Sequence, residues 1–239
     1  MAKTIVHKAE SRGDENHGWL HSRHTFSFAG YHNPERMHFG TLRVLNDDYV
    51  APGMGFDTHP HNNMEIISIP LEGDLEHKDS MGNVTVIKNG DVQVMSAGTG
   101  VSHSEYNHNS DAPVKLLQIW VFPNQKNVQP RYDQITLDPT KRKNKLQQIV
   151  SPNANNDGVW IHQNAWFHLG TFEQNNSAEY QLKEKGNGVY AFVLKGRFTI
   201  GKTVLNERDG LGIWETDSIS IHANDNNSEI LLMEVPMSI

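Results

Sequence analysis

The stretch VTVIKNGDVQVM, residues 84–95, limits the fold more than any other feature: apolar and polar residues alternate on both sides of an Asn-Gly-Asp reversal. Alternation with period two buries one face of a strand and wets the other, and Asn-Gly readily takes the positive φ angles of a tight antiparallel turn. Runs of similar texture, closed by turns such as SMGNV, fill the first half of the chain. An all-β, antiparallel fold is therefore expected.

The pattern returns after an interruption. YAFVLKGRFTI (190–200) echoes EIISIPLEGDL (65–75), and LNERDGLGIWETD (205–217) echoes IKNGDVQVMSAG (87–98), the mark of a diverged internal repeat. Between the copies lies the polar, proline-punctuated stretch DPTKRKNKLQQIVSPNANNDG. Two tandem jelly-roll β-barrels are expected, with a first domain over 1–135, a linker over 136–158 and a second domain over 159–239.

Charge and composition remove several classes of function. With 28 acidic and 21 basic residues the net charge is −7, which gives no broad attraction for nucleic-acid phosphates or anionic lipid. The basic run KRKNK (141–145) reads as a solvated part of the linker. No stretch is long and apolar enough for a secretion signal or a membrane span. The chain has no cysteine, so disulfides, thiolate metal sites and cysteine nucleophiles are excluded. A cytoplasmic protein with nitrogen- and oxygen-liganded chemistry is expected.

Histidine is distributed unevenly, eleven of the fourteen falling between His7 and His108. GFDTHPHNNMEIISIPLEG (55–73) carries His59, His61 and Glu65 at even spacing, and side chains two apart on a strand share a face. SAGTGVSHSEYN (96–107) repeats the device with His103 and Glu105. If the fold brings the two strands together, three imidazoles and a carboxylate converge, a set that suits one divalent metal and is costly to bury without one. Spacing leaves Glu65 and Glu105 as alternatives for the fourth ligand. Setting Gly196 on Gly73 places Leu182 and Glu184 where His59 and His61 stand, so the metal is expected only in the first copy; His222 falls near the place of His103 but has no partner.

Other marked residues read structurally. HGWLHSRHTFSF (17–28) has histidine spacings of four and three, unlike a strand face, and is expected to pack over the barrel. Trp120, Trp160, Trp166 and Trp214 are expected in core or inter-domain contacts. Gly98 and Gly100 should permit the turn that aims His103, and Pro60 should place its strand at an edge or bulge.

The segment GMGFDTHPHNNMEIISIPLEG resembles the first cupin motif, with its glycine one residue later than usual. HTFSFAGYHNPERMHFGTLRVLNDDYVAPGMGFDTHPH, LEHKDSMGNVTVIKNGDVQVMSAGTGVSHSEYN and LLQIWVFPNQKNVQPRY resemble the pirin family, in its bacterial branch with quercetin dioxygenase-like members. YAFVLKGRF, LNERDGLGIWE and ILLMEVP are similar to the family's second cupin. The resemblance implies a bicupin whose N-terminal barrel holds one divalent metal on His59, His61, His103 and Glu105, with Glu65 behind the ligands; the general cupin pattern would instead take Glu65 as ligand. Iron is the expected ion, and Ni, Co, Cu, Mn and Zn also accept such ligands. The implied activity is dioxygenation of a flavonol such as quercetin, with carbon monoxide released and Glu65 or Glu105 accepting the hydroxyl proton. The alternative from another class is a non-enzymatic, iron-binding redox sensor that acts through a regulatory protein partner.

Overall fold

The computed structural model describes residues 2–239. The first half contains β1 (Lys3–His7), β2 (Gly13–Asn16), β3 (Leu20–His24), β4 (Leu42–Val50), β5 (Gly55–His61), β6 (Glu65–Glu72), β7 (Leu75–Asp79), β8 (Val84–Ile87), β9 (Asp91–Ser96), β10 (Val101–Asn107), β11 (Val114–Val121) and β12 (Arg131–Thr136). The second half contains β13 (Leu146–Ser151), β14 (Val159–Trp160), β15 (Trp166–Phe172), β16 (Ser177–Gln181), β17 (Asn187–Lys195), β18 (Phe198–Ile200), β19 (Thr203–Leu205), β20 (Gly210–Trp214), β21 (Ser218–Ala223) and β22 (Ser228–Pro236). The all-β expectation holds.

Each half forms a sandwich of one large and one small sheet. In the first, the order β12-β9-β6-β11-β4-β3-β2 packs on β5-β10-β7-β8; in the second, β1-β20-β17-β22-β15-β13-β14 packs on β16-β21-β18-β19. Strands β4–β11 thus recur as β15–β22 in the same neighbour order, which is the repeat seen in the sequence. Neither sandwich closes into a barrel, yet both have the cupin arrangement.

The largest apolar cluster lies between the two large sheets. Leu45, Ile67, Val94 and Ile119 of one meet Phe167, Phe192, Leu231 and Met233 of the other, all buried. This placement matters for the site. A large-sheet strand of the first half shows one face to the neighbouring sandwich and the other to its own interior, so two positions apart means the same compartment and one apart means opposite compartments.

Two expected boundaries are corrected. Lys3–His7 pairs with β20 and so completes the second sandwich, not the first. The pairing covers the edge of β20, which would otherwise expose a row of unpaired backbone groups. The 136–158 segment is not a free linker, because Leu146–Ser151 pairs with β15 in the second large sheet and buries Ile149 and Val150. A third difference concerns residues 17–28: Leu20–His24 is a regular strand, paired with β4, that turns Leu20, Ser22 and His24 inward.

Candidate metal centre

β5 is the edge strand of the small sheet and hydrogen-bonds only β10 within it, so Pro60 removes a donor where no further ladder is needed. β10 is central and alternates strictly in burial, turning Val101, His103, Glu105 and Asn107 inward. The chain enters β10 through Gly98, at φ +47°, where a Cβ would meet the Val128 carbonyl oxygen at 2.0 Å. Only glycine fits that approach. In register, His103 sits opposite His59 on one side and Asp79 on the other; a bulge follows, and Glu105 sits opposite Phe56 and His77.

The three histidines converge. Their ligand nitrogens lie within 4.8 Å of one another, and Nε2 of His61 is 3.0 Å from Nε2 of His103. Nδ1–H of His59 donates to the Asp57 carbonyl at 2.7 Å, which leaves its Nε2 as the lone-pair nitrogen. Burial, with the adjacent imidazoles of His103 and His59 adding to it, lowers the His61 pKa to about 4. Burial, with His59 and His77 adding to it, lowers that of His103 to about 3. Both are neutral at pH 7, so two ring nitrogens face each other across a gap that a proton or a cation must fill. Three imidazoles at the rim of a sandwich, with a carboxylate behind, fit one first-row divalent ion.

Glu105 is that carboxylate. It is buried, with Oε1 accepting from Ser68 Oγ at 3.0 Å and Oε2 accepting from Gln118 Nε2 at 2.7 Å. One of its oxygens falls within 4.8 Å of a ring nitrogen of His103 and of His77.

A pirin family model matches residues 5–121, and a model of the quercetinase C-terminal cupin domain matches 148–235. The Escherichia coli (strain K12) protein named quercetin 2,3-dioxygenase is 43% identical over 231 residues, covering 97% of this chain and 98% of the relative. The chain belongs to the pirin family. A Pseudomonas aeruginosa protein named putative quercetin 2,3-dioxygenase PA1210 is 40% identical over 93% of this chain and 95% of its own. The crystal structure of the bacterial pirin YhhW from Escherichia coli in complex with nickel(II) superposes with a TM-score of 0.92 at 41% identity, covering 98% of this chain and 99% of that one.

Glu65 is elsewhere in this pirin, which corrects its expected place behind the ligands. Along β6, Ile67 and Ile69 face the inter-sandwich core, whereas Ile66 packs with Met95 and Val101 inside the first sandwich. Glu65 shares the parity of Ile67. It accepts from Ser96 Oγ at 2.7 Å, and burial raises its pKa to about 7 against the pull of Ser96, the His162 backbone and Arg131. Counting parity from His61 to Glu65 assumed one continuous strand; Asn63, at φ +50°, breaks it, and β5 and β6 belong to different sheets.

Three features of the centre are not evident in the strand spacing that gave the histidines. His77 is fully buried beside His103, with ring centroids 5.3 Å apart, and its LEHKD context repeats the two-residue step of HPH and HSE, a signal that could have marked it. Trp120, expected in core or inter-domain packing, stands edge-on to His61 at 5.0 Å and forms a wall of the centre, with Phe28 against it at 5.3 Å. Behind Glu105 runs a row of polar side chains in direct cross-strand register, Gln93, Ser68, Gln118, Asn46 and His24, all buried.

The second sandwich supplies an internal comparison. Ile219 pairs with Tyr180 as His103 pairs with His59, and Ile221 pairs with Ile200 as Glu105 pairs with His77. Ala191 pairs with Leu232 where the first sandwich has Ser68 and Gln118. All of these except Tyr180's hydroxyl join one apolar core, and that hydroxyl donates to Glu234 at 2.6 Å. Tyr180, not Leu182, therefore stands for His59. His222 lies one residue off the inward face, its ring bonded to Ser177 Oγ at 2.9 Å. The same topology folds with an apolar interior, so the polar one is not required by the fold.

Proposed function

We propose that this pirin is a metal-dependent dioxygenase that opens the heterocycle of a flavonol such as quercetin, using one divalent ion on His59, His61, His103 and Glu105. The observation that carries this reading is the meeting of three imidazoles, two of them neutral by burial, with a carboxylate held by two hydrogen bonds. Iron is our choice of physiological ion, and the nickel complex of the similar Escherichia coli protein favours a site tolerant of several first-row metals. When bound, the ion supplies Lewis acidity toward the adjacent hydroxyl and carbonyl oxygens of the substrate.

The chain's own residues do the rest. His59 and His61, half-buried on the edge strand, form the open rim where a planar substrate enters. Trp120 fixes the His61 ring and offers an apolar wall beside it. Glu105 is the only one of the two expected carboxylates that shares the compartment, so it takes the proton of the flavonol hydroxyl, with Ser68 and Gln118 holding its orientation through the change of charge. In the balanced reaction one flavonol and one dioxygen give one ring-opened ester and one carbon monoxide, with no external reductant. Binding is tested by the absorbance shift of quercetin on titration with metal-loaded protein. A shift that saturates at one equivalent and disappears in His103→Ala supports the site; a shift retained in that variant contradicts it.

A further inference from the structure

Below the three rim histidines lies a second, overlapping triad. His77, His103 and Glu105 are all buried, and their ligand atoms lie within 4.8 Å of one another. His77 and Glu105 are directly opposite on neighbouring strands, so both side chains turn into the same interior.

His77 is held as a metal-ligating imidazole is commonly held. Its Nε2 lies 3.1 Å from Asp79 Oδ2. Asp79 is fixed in turn, accepting from the backbone N–H groups of Met81 and Asn83 and from Asn83 Nδ2 at 2.9, 3.1 and 2.8 Å. An aspartate that takes Nε2–H leaves the lone pair on Nδ1, and a carboxylate behind a histidine in this way orients the ring toward a metal. Nδ1 of His77 is buried and has no hydrogen-bond partner; Nδ1 of His103 is in the same condition. A buried polar atom left unsatisfied is destabilising, and the apolar alternative exists in the same protein, where Ile200 occupies the corresponding position.

We propose that His77, oriented by Asp79, is a further metal ligand, so that a divalent ion has two overlapping positions sharing His103 and Glu105: an outer one completed by His59 and His61, and an inner one completed by His77. This rests on the reading of the rim histidines as a metal centre. The shared ligands make the positions alternatives for one ion. Two imidazoles and one carboxylate select borderline first-row metals such as cobalt, nickel, zinc or iron over calcium or magnesium. An ion in the inner position is withdrawn from the rim, so occupancy of the two sites sets how much of the bound metal faces substrate.

Cobalt(II) titration, read by its visible absorption and by competition with a chromogenic chelator, tests the proposal without any assay of turnover. The intact protein is expected to bind one equivalent. The His59→Ala/His61→Ala variant is expected to bind one equivalent more weakly, by more than the roughly 10–100-fold that losing a hydrogen-bonding partner behind a ligand costs. Adding His77→Ala should abolish that residual binding. No cobalt on the double variant, or equal cobalt on the triple variant, overturns the inner position; no cobalt on the intact protein would remove the metal centre itself. If circular dichroism shows the double variant unfolded, the decision passes to His77→Ala alone, where weakened cobalt binding with an altered spectrum supports the proposal and unchanged affinity and spectrum overturn it.

Discussion

His61 and His103 meet nitrogen to nitrogen, their Nε2 atoms 3.0 Å apart, although one lies on an edge strand and the other two strands inward from the opposite edge of the same small sheet. The contact is possible because β5 and β10 are hydrogen-bonded neighbours in a register that sets Val101 against His61 and His103 against His59. Burial holds both imidazoles neutral at pH 7, and their low pKa values make the contact sensitive to acid.

The metal-free protein should therefore lose stability as pH falls. His61 and His103 titrate near 6.5 when unfolded and at about 4 and about 3 when folded, so their neutral forms favour the fold above pH 6.5 and that contribution is lost as pH drops from 6.5 toward 3. At one pH unit per 1.36 kcal/mol the pair accounts for several kcal/mol, roughly, at full loss. Thermal unfolding of metal-free protein between pH 7.5 and 4 is expected to show the decline, with a shallower slope in His103→Ala. A slope unchanged in that variant would contradict the assignment.

Glu65 should act with the opposite sign and without touching the metal. Its folded pKa of about 7 exceeds the unfolded 4.5, so its contribution is complete below pH 4.5 and is lost as pH rises to about 7. Glu65→Gln keeps an acceptor for Ser96 and removes the ionisation; it is expected to raise stability at pH 8 by on the order of 2–3 kcal/mol and leave metal content intact. Glu105→Gln should do the reverse, weakening the metal at unchanged fold. Loss of metal in Glu65→Gln, with retention in Glu105→Gln, would restore the general cupin assignment.

Much of this was legible in the sequence because a strand's period is two. HPH and HSE each put a pair of side chains on one face, and the repeat correctly confined the histidine pairs to the first half. What failed was parity carried across a break. Asn63 redirects the chain between sheets, so Glu65 changed compartments while keeping its even spacing. The gap-free comparison of the copies slipped by two residues at Tyr180 because loop lengths differ between them. Local pattern also cannot name the sheet that receives a segment: Lys3–His7, expected in the first domain, pairs with the second large sheet, and Leu146–Ser151, expected in the linker, pairs there too. Trp120 is a tertiary neighbour of His61, visible only once β11 and β5 are packed.

Gln118 is predicted to tune the centre through Glu105. Gln118→Leu installs the residue type found at Leu232 in the second sandwich, and leaves one oxygen of a buried carboxylate without its 2.7 Å donor. Chelator competition should show metal affinity lower by about 10–100-fold with the melting curve of the loaded protein still cooperative. Unchanged affinity would show that Ser68 alone suffices.

Trp120 gives an optical report on occupancy. Its indole lies edge-on 5.0 Å from the His61 ring, so cobalt or nickel at the rim should quench part of the tryptophan emission. Trp120→Phe should abolish the metal-dependent part while leaving the stoichiometry at one. Quenching that persists in this variant would point to a different tryptophan and a different site.

The central claim is tested most directly by measuring dioxygen consumed and carbon monoxide released during quercetin turnover by the metal-loaded protein, against the same concentration of free metal. One carbon monoxide per dioxygen, saturation with quercetin, a rate well above free metal, and loss of that rate in His103→Ala are the predicted results. Quercetin that binds while dioxygen uptake stays at the free-metal rate would contradict the dioxygenase account.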